Sequence, residues 1–463
     1  LRGLKRGDPI SCPFEGSLAP ETSQLIDVNV PENSVPPCSA IPPDKPTPEY
    51  VIRKAPYRVF EALRPLSDGD PARGETDAVY ASFMVPADAQ PGVQKGVLRI
   101  KVGSETAEIS VTLNIHEARV PAQGHLRVTN WFNTDRMARA HQVEPWSEAH
   151  WKILHQYARM MRRGRQSDFI PIRPETKKLG EGSWEFDFTR TERMIRMFLD
   201  EGFTNIELPH IARHDRRKEA VARFVVTIDG EPYPGTSHEA YVYLSQSLGA
   251  WREMLQRNGW YDRAIQHVVD EPNPDHFDDY RIMAGTVRKF LPGIPLIDAL
   301  GDPELDGAVD IWVPVSESYE ENREGFEAHR RRGDTIWVYT CCNPTGFYLN
   351  RLIDAELLRT RLLHWANWRY RLDGYLHWGL NQIIEGQDPF EDTCPPHGAY
   401  GQFHLPPGDS HILYPGDTGP WSSVRFEAMG AGIEDYELLR AVAERDEKLA
   451  DEITLKLVRT FTD

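Results

Sequence analysis

Short apolar runs and longer stretches of helical periodicity alternate from about residue 125 to residue 380. The runs predict eight strands, at 126–131, 168–172, 205–208, 264–270, 295–299, 311–315, 335–340 and 374–378. Apolar residues at helical spacing predict amphipathic helices between most of them, at 146–163, 190–201, 240–258, 277–290 and 355–369. Strands that alternate with helices pair in parallel, so eight such units predict an α/β fold, a (β/α)8 barrel of the TIM type. A doubly wound open sheet is the competing arrangement, and the polar or aromatic residues at many strand ends favour the barrel.

The segments that flank this series have a different pattern. Residues 1–50 are rich in proline, which suits edge segments and turns rather than helices. The runs 79–85, 96–102 and 107–115 partly alternate between apolar and polar residues and predict an antiparallel β-sandwich. We therefore expect an N-terminal β-sandwich domain at 1–121, a barrel domain at 122–442 and a C-terminal helix at 443–463. The stretch 382–420 lacks periodicity and predicts a functional loop that overhangs the barrel.

Charge narrows the range of partners. The formal net charge is −17, and an acidic surface repels phosphate backbones and anionic lipid headgroups. We therefore expect no nucleic-acid partner and no membrane insertion, and an uncharged substrate is compatible with this surface. No apolar segment is long enough to span a bilayer and no secretory signal is recognisable, so extracellular, periplasmic and cytoplasmic locations all stay open. The oligomeric state stays open as well.

Cysteine and histidine spacing gives no cofactor signature. The five cysteines are Cys12, Cys38, Cys341, Cys342 and Cys394, and their spacing fits no zinc pattern. A disulfide between Cys12 and Cys38 in an oxidising compartment stays open. The histidines near Cys394, at 397, 404 and 411, lack a ligand spacing, and the sequence has no Gly-x-Ser-x-Gly, Walker or dinucleotide-binding motif. We therefore expect neither a metal nor a cofactor.

The candidate chemistry lies at Asp270-Glu271-Pro272, which ends the apolar run 264–269. Neighbouring side chains on a regular strand point to opposite faces, so the strand must twist or end if both carboxylates are to share a pocket. Pro272 lacks a ladder donor and favours that break. Two carboxylates in one pocket push their pKa values apart, which is the arrangement that glycosidic bond cleavage requires. The alternative interpretation is a strand-to-loop junction with solvated acids.

Together with these three residues, six segments resemble the catalytic domain of glycoside hydrolase family 123, the β-N-acetylgalactosaminidases. They are VPADAQPG at 85–92, WVYTC at 337–341, YLHW at 375–378, YPG at 414–416, SSVRFE at 422–427 and GIEDYE at 432–437. The resemblance spans about residues 79–440 and implies a β-sandwich followed by a (β/α)8 barrel. It implies retaining, substrate-assisted hydrolysis of a β-linked N-acetylhexosamine, with GalNAc as the expected sugar. Residues 428–431, AMGA, depart from the more charged stretch that the family carries there.

The resemblance also implies roles for individual residues. Glu271 would be the general acid and then the base, and Asp270 would orient the acetamido N–H and stabilise the positive intermediate. Tyr339 would donate to the acetamido oxygen, unless it is simply tethered at the barrel rim. Position rather than the resemblance points to further candidates. Trp378, Trp131 and Trp312 end strands and predict sugar-stacking surfaces. Asn381 and Asn133 are expected to bond sugar hydroxyls, and His210 is either a sugar contact or a polar residue of the rim. At helical spacing, Arg425 is expected to be buried and paired with a carboxylate, with Glu434 and Asp435 close in sequence.

Two other functions remain open at this point. The barrel would act on a glycoside without an acetamido group if a further carboxylate served as nucleophile or base, and Glu317 and Glu207 are the candidates by position. Alternatively, the barrel would bind carbohydrate without cleaving it. In each case we expect the partner to be a carbohydrate, either a glycan or a glycoconjugate.

Overall fold

The computed structural model describes residues 5–31, 53–74, 76–216, 223–396 and 404–462. The described strands before residue 120 are β1 Pro9–Ser11, β2 Phe14–Gly16, β3 Glu21–Val30, β4 Tyr57–Pro65, β5 Asp70–Pro71, β6 Val79–Ser82, β7 Gly92–Val102 and β8 Glu105–Ile115. The later strands are β9 Arg127–Asn130, β10 Asp168–Phe169, β11 Glu175–Gly180, β12 Ser183–Asp187, β13 Asn205–Leu208, β14 Arg213–His214, β15 Phe224–Ile228, β16 Glu231–Pro234, β17 Ala264–His267, β18 Leu296–Ala299, β19 Ile311–Val313, β20 Thr335–Tyr339, β21 Gly374–His377, β22 Tyr414–Pro415 and β23 Pro420–Ser423.

The helices follow the barrel strands in alternation. They are α1 Thr134–Ala140, α2 Glu148–Arg163, α3 Thr189–Asp200, α4 His238–Arg257, α5 Phe277–Phe290, α6 Ser316–Glu321, α7 Arg323–Arg332, α8 Leu357–Arg369, α9 Val424–Ala443 and α10 Glu447–Leu455. Within the described ranges, none of these helices combines the length and the apolar character that a membrane span requires.

Eight parallel strands form a nearly closed barrel. Their order is β10-β13-β17-β18-β19-β20-β21-β9, and every neighbouring pair is parallel. The two end strands meet where the Ser167 N–H donates to the Val128 carbonyl at 3.0 Å. This sequential order, without the reversal of a doubly wound sheet, confirms a barrel in a mixed α/β fold. All eight predicted strands belong to it, although most are shorter than their apolar runs.

The alternation of side chains along these strands divides the core into two layers. The interior layer contains Ile265, Ile297, Ile311, Val313, Trp337 and Leu376. The residues between them face outward and pack against the helices in a much larger cluster. This division fixes which strand residues can reach the mouth of the barrel and which lie beneath the helices.

Antiparallel sheets flank the barrel, as a sandwich region requires. One sheet has the order β2-β7-β1-β5 with β8 on β7, and another has the order β22-β23-β4-β3-β6. The second sheet therefore combines N-terminal strands with two strands that follow the long segment after the barrel. The proline-rich start also contains the ten-residue strand β3, which proline content alone did not predict. Two small additions, the hairpin β11-β12 and the three-stranded sheet β14-β15-β16, were likewise not predicted.

Arg425, at the start of α9, joins the barrel to this second sheet. Its Nε donates to Glu61 Oε1 on β4 at 2.6 Å, and both side chains are nearly inaccessible to solvent. Its two terminal nitrogens donate to the carbonyls of Arg351, Gly408 and His411. Arg425 is thus buried and paired with a carboxylate, but the partner is Glu61 rather than Glu434 or Asp435. Asp435 instead accepts from Arg361 and Trp365.

Candidate active site

The fourth barrel strand, β17, ends three residues before Asp270. Beyond His267, the amides of Val268 and Val269 donate to Oδ2 of Asp298, at 2.9 and 3.3 Å. A side chain on β18 therefore takes amides that a strand ladder would otherwise use, and the backbone is free to turn. Glu271 then adopts a left-handed φ of 48°, which is uncommon for a residue with a side chain. The strand break predicted from Asp-Glu-Pro is present, and the Asp298 carboxylate is its main cause.

Asp270 and Glu271 both reach solvent beyond the strand end. Surrounding protein partly desolvates Asp270, and this, followed by the charges of Glu271 and Asp298, raises the pKa of Asp270 to about 7. His214 Nε2 lies 2.7 Å from the Asp270 carbonyl oxygen and fixes the backbone from the other side. The adjacent carboxyls therefore hold one proton between them near neutral pH, as an acid–base pair requires.

Tyr339, at the end of β20, is bound to this pair. Its hydroxyl donates to Glu271 Oε1 at 2.7 Å. Burial, followed by the nearby charge of Glu271, raises the pKa of Tyr339 well above its ordinary value. The hydroxyl consequently stays protonated and remains a donor across the physiological range. Its predicted contact with a sugar acetamido group stays a prediction.

Beneath the pair lies a buried polar group that we call the pair-side network: Trp131, Glu207, His267 and Asp298. His267 Nε2 lies 3.1 Å from Glu207 Oε2, and His267 Nδ1 lies 3.1 Å from Asp298 Oδ1. The Trp131 indole N–H donates to Glu207 Oε2 at 3.1 Å. Burial alone would lower the pKa of His267, but hydrogen bonds to the two carboxylates raise it to about 9.

His210 lies against this network at the rim. Its ring centroid is 4.4 Å from that of His267, and burial lowers the pKa of His210 well below its ordinary value. Candidate ligand atoms of His210, His267 and Asp298 lie within 4.8 Å of one another, a spacing compatible with a cation. However, both ring nitrogens of His267 are already hydrogen-bonded to carboxylates. A protonated imidazole explains the same geometry without an ion, so we interpret the cluster as a hydrogen-bond network.

A second buried group, the loop-side network, consists of Arg351, His377, Trp378 and Asp409. Trp378, after the last barrel strand, donates its indole N–H to Asp409 Oδ2 at 3.2 Å. Arg351 donates to His377 Nδ1 at 2.5 Å and to Asn130 Oδ1 at 2.7 Å. Burial raises the pKa of Asp409 to about 7. The long segment after β21 is thus packed into the barrel end rather than only overhanging it, since residues 405–414 are buried.

Of the predicted aromatic surfaces, Trp131 and Trp378 are partly exposed near the mouth, whereas Trp312 is not. Trp312 is fully buried and stacks on His329 with ring centroids 3.9 Å apart. Its strand neighbours Ile311 and Val313 face the interior, so alternation turns Trp312 outward beneath the helices. The prediction that Trp312 binds sugar is therefore wrong.

The two predicted asparagines are in contact, since the Asn381 side chain is hydrogen-bonded to the Asn133 backbone. The Asn381 side chain accepts from the Asn133 N–H at 2.9 Å and donates to the Asn133 carbonyl at 3.1 Å. The Asn133 side chain accepts from the Arg136 N–H and caps α1. These bonds give both residues a structural role, and their predicted contacts with sugar hydroxyls stay a prediction.

The cysteine and histidine expectations are tested only in part. Cys38 and His397 lie outside the described residues. His404 Nδ1 lies 2.7 Å from the Cys394 carbonyl oxygen, and His411 is buried beside the Tyr414 ring. Cys341 and Cys342 carry sulfur atoms 3.9 Å apart and are not disulfide-bonded.

Sequence reasoning missed four residues that shape this region: His267, Asp298, Arg351 and Asp409. A signal existed for Asp298, because a carboxylate inside the apolar run LIDA must be paired if that run is a buried strand. His267, three positions before Asp270 on the same strand, offered a weaker signal of the same kind. Arg351 and Asp409 lie in irregular segments, where periodicity gives no information.

Comparisons with known proteins identify the family and agree with the fold. The model of the glycoside hydrolase 123 catalytic domain matches residues 131–173 and 174–442. A family 123 glycoside hydrolase from Clostridium perfringens, studied for glycolipid glycan hydrolysis, superposes with a TM-score of 0.76 at 15% identity, over 99% of this chain and 84% of that chain. A β-galactosidase from Marinomonas ef1 is more distant, with a TM-score of 0.41 at 12% identity over 71% of this chain and 62% of its own. No curated protein sequence matches.

Proposed function

Since the chain belongs to glycoside hydrolase family 123, we propose that it hydrolyses β-linked N-acetylhexosamines, with GalNAc as the preferred sugar, by a retaining mechanism in which the substrate's acetamido group is the nucleophile. The observation that carries this proposal is the adjacent pair Asp270 and Glu271 at the carboxyl end of the fourth barrel strand. The pair holds a proton near neutral pH, and Tyr339 binds one member of it. Barrel enzymes place their chemistry at this end of the strands.

In the first step, Glu271 donates a proton to the glycosidic oxygen. The acetamido oxygen forms a bond to the anomeric carbon as the bond from that carbon to the leaving oxygen breaks. The product of this step is a positively charged oxazolinium, whose N–H donates to the Asp270 carboxylate. In the second step, Glu271 removes a proton from water as the water attacks the anomeric carbon, which restores the acetamido group with net retention.

The position of the proton needs an explanation, because partial desolvation and the charges of Glu271 and Asp298 favour it on Asp270 in the free protein. An acetamido N–H that donates to Asp270 favours the ionised carboxylate. Substrate binding would therefore lower the pKa of Asp270 and leave its carboxylate ionised, as stabilisation of the oxazolinium requires. The Tyr339 hydroxyl occupies Oε1 of Glu271, so Oε2 is the oxygen that carries the proton to the leaving group.

The alternative with a carboxylate nucleophile finds less support. Glu207 is fully buried, and its Oε2 accepts from both Trp131 and His267. Glu317 lies in the first turn of α6, beyond the sixth barrel strand. With Glu207 bound in this way, the substrate's own acetamido oxygen is the simpler nucleophile. Because the Clostridium perfringens relative acts on glycolipid glycans, glycolipid headgroups that end in β-GalNAc are the natural substrates to test first.

The test is release of nitrophenol from the β-linked GalNAc, GlcNAc, galactose and glucose glycosides. We expect activity on the GalNAc substrate, and we expect Glu271→Gln to lower kcat/KM by about 10²–10⁴-fold. Glu317→Gln is the matched control and should retain activity. Hydrolysis confined to galactose or glucose, or full activity in Glu271→Gln, would contradict the proposal. Activity on none of the four, even with a glycolipid headgroup as substrate, would favour a binding role.

A further inference from the structure

We propose that Glu207, His267 and Asp298 position the Asp270–Glu271 pair, with His267 acting as a buried imidazolium that joins the end of the fourth strand to the Trp131 surface. The inference rests on the proposed function, because it gives these three residues a role in that reaction. None of them needs to touch the substrate, so we call them positioning residues.

The charge of His267 follows from its partners. The side chain is fully buried, and each ring nitrogen lies 3.1 Å from a carboxylate oxygen. An ionised carboxylate only accepts hydrogen bonds, so both ring nitrogens must donate, and a histidine with two N–H groups is an imidazolium. Without that positive charge, Glu207 and Asp298 would be two buried negative charges without a counterion.

Asp298 links the charge of His267 to the backbone conformation at the end of β17. Its Oδ2 accepts from the Val268 and Val269 amides and from the Tyr280 hydroxyl, while Oδ1 faces His267. These amides directly precede Asp270, so the Asp298 carboxylate fixes where the strand stops and the pair begins. An ionised carboxylate accepts several donors at once, whereas a protonated one loses an acceptor site. His267 keeps Asp298 in the form that this role requires.

Glu207 connects His267 to Trp131, which lies near the mouth of the barrel. It accepts from the Trp131 indole, whose ring also meets the His267 ring edge-on at 5.5 Å. The orientation of Trp131 and the strand end below Asp270 thus depend on the same imidazolium. A sugar stacked on Trp131 would be held in register with the pair by residues that it does not contact.

The charges that face Asp270 decide the direction of the expected effect. Glu271 and Asp298 raise its pKa, whereas His267 and Arg216 lower it. Removal of the His267 charge should therefore raise the apparent pKa values of the pair. The active form carries one proton on two carboxyls, so both limbs of a bell-shaped pH–rate profile should move to higher pH. Among the described residues around this site, His214 contacts the Asp270 backbone, the His210 ring lies beside that of His267, Tyr339 donates to Glu271 and Tyr280 donates to Asp298.

The experiment compares His267→Gln with His377→Gln. The two histidines are equally buried at the ends of the barrel strands β17 and β21. His377 differs in its partners, because its Nδ1 accepts from Arg351 and its Nε2 lies 3.4 Å from a single carboxylate oxygen, Asp409 Oδ1. We expect His267→Gln to shift both limbs upward by about one pH unit, which lowers kcat/KM about tenfold on the acid side with a smaller change in KM. His377→Gln should leave the limbs where they are. Limbs that do not move in a folded His267→Gln protein would overturn the proposal.

A measurement on the unaltered protein guards against a variant that does not fold. Nitrogen-15 NMR of labelled histidines should show both ring nitrogens of His267 protonated at pH 7.5, with a titration midpoint near 9. A neutral His267 at that pH would overturn the inference whatever the substrate proves to be. Failure of the proposed function is separate, since it would appear as absent hydrolysis of the acetamido glycosides while the His267 signal stays as expected.

Discussion

The pair-side and loop-side networks contain similar residue types, but the pKa values of their buried histidines are shifted in opposite directions. In each network a tryptophan near the mouth donates its indole N–H to a buried carboxylate, at 3.1 Å for Trp131 and 3.2 Å for Trp378. Each also contains a histidine that is inaccessible to solvent at the end of a barrel strand. Burial lowers the pKa of His377 well below its ordinary value, helped by the Arg351 charge, whereas two carboxylates raise that of His267 to about 9.

The difference shows that partners rather than depth decide the charge of a buried histidine. Two carboxylates compensate the desolvation of His267, and a guanidinium adds to the desolvation of His377. The two networks also differ in role. The pair-side network can affect the reaction, whereas the loop-side network stabilises the fold. The pair-side network lies under Asp270, while the loop-side network connects the barrel end to the following segment and, through Arg351, to Arg425.

The largest expected difference between the two regions is in turnover. Asp270→Asn should lower kcat about 10³-fold, because the carboxylate that stabilises the oxazolinium is lost. Asp409→Asn, which removes the corresponding buried carboxyl beneath Trp378, should keep kcat within about tenfold, because it acts only through the position of that ring. Steady-state rates on a β-GalNAc glycoside check this. Equal losses in the two variants would remove the functional distinction between the networks.

The next effect concerns the stability of the protein and involves Arg425, which donates to the Arg351 carbonyl of the loop-side network. Arg425→Met leaves Glu61 buried without its counterion and removes three further bonds to backbone carbonyls. Loss of one partner of a buried ion pair costs about 3–5 kcal/mol. We expect that loss in denaturant unfolding, with kcat per folded molecule almost unchanged. The double variant Glu61→Gln/Arg425→Met should recover part of the stability. A strong loss of kcat in folded Arg425→Met would assign the loop side to catalysis.

A smaller effect is the pH dependence of the stability, which we expect Asp409 of the loop-side network to cause. The pKa of Asp409 is about 7 in the folded state, above its ordinary value, so the folded protein binds this proton more tightly than the unfolded chain. The contribution of Asp409 to stability is therefore lost as pH rises from about 4 through 7. Asp409→Asn should become more stable relative to wild type across that range, by about 4 kcal/mol in total. Parallel pH–stability curves for the two proteins would show that Asp409 is ionised throughout.

The smallest expected effect compares the two tryptophans. Trp131→Phe and Trp378→Phe each keep an aromatic face and remove one indole N–H from a buried carboxylate. The loss of one hydrogen bond to a buried carboxylate costs about 1–3 kcal/mol. For Trp131→Phe we expect KM to rise about tenfold and the pH–rate limbs to shift, because Glu207 belongs to the pair-side network. Trp378→Phe should raise KM without moving the limbs. Identical pH profiles in the two variants would argue against the coupling through Glu207.

The sequence predicted the barrel well because a parallel strand between helices has a strong signature. All eight apolar runs became strands, and α5 has the predicted bounds. The ends of the strands were less predictable, since the run 264–270 stops at His267 where Asp298, on the next strand, takes its amides. Such an end depends on a contact between distant residues, which periodicity does not contain.

The candidate site, like the barrel, was predictable only in part. Asp270, Glu271 and Tyr339 could be named from a motif and a strand end, and the structure brings them together. Trp312 was misassigned because a strand pattern shows that neighbours alternate but not which of them faces inward. The contact of the Asn381 side chain with the Asn133 backbone joins residues 248 positions apart, which a sequence pattern does not contain. The buried networks escaped notice for the same reason, as their members come from separate strands and loops.

The sheet shared between the two ends of the chain has a consequence for synthesis. Strand β23 covers the edge of β4, and the Arg425–Glu61 pair beside it joins residues 364 positions apart. At about 5–20 residues per second, a ribosome needs roughly 20–70 s to make the intervening chain. During that interval β4 leaves the ribosome without one of its two neighbours, and its open edge can pair with a wrong strand or another molecule. The nascent chain thus carries this sheet unfinished while the barrel between β4 and β23 is made, a state that chaperones would have to protect.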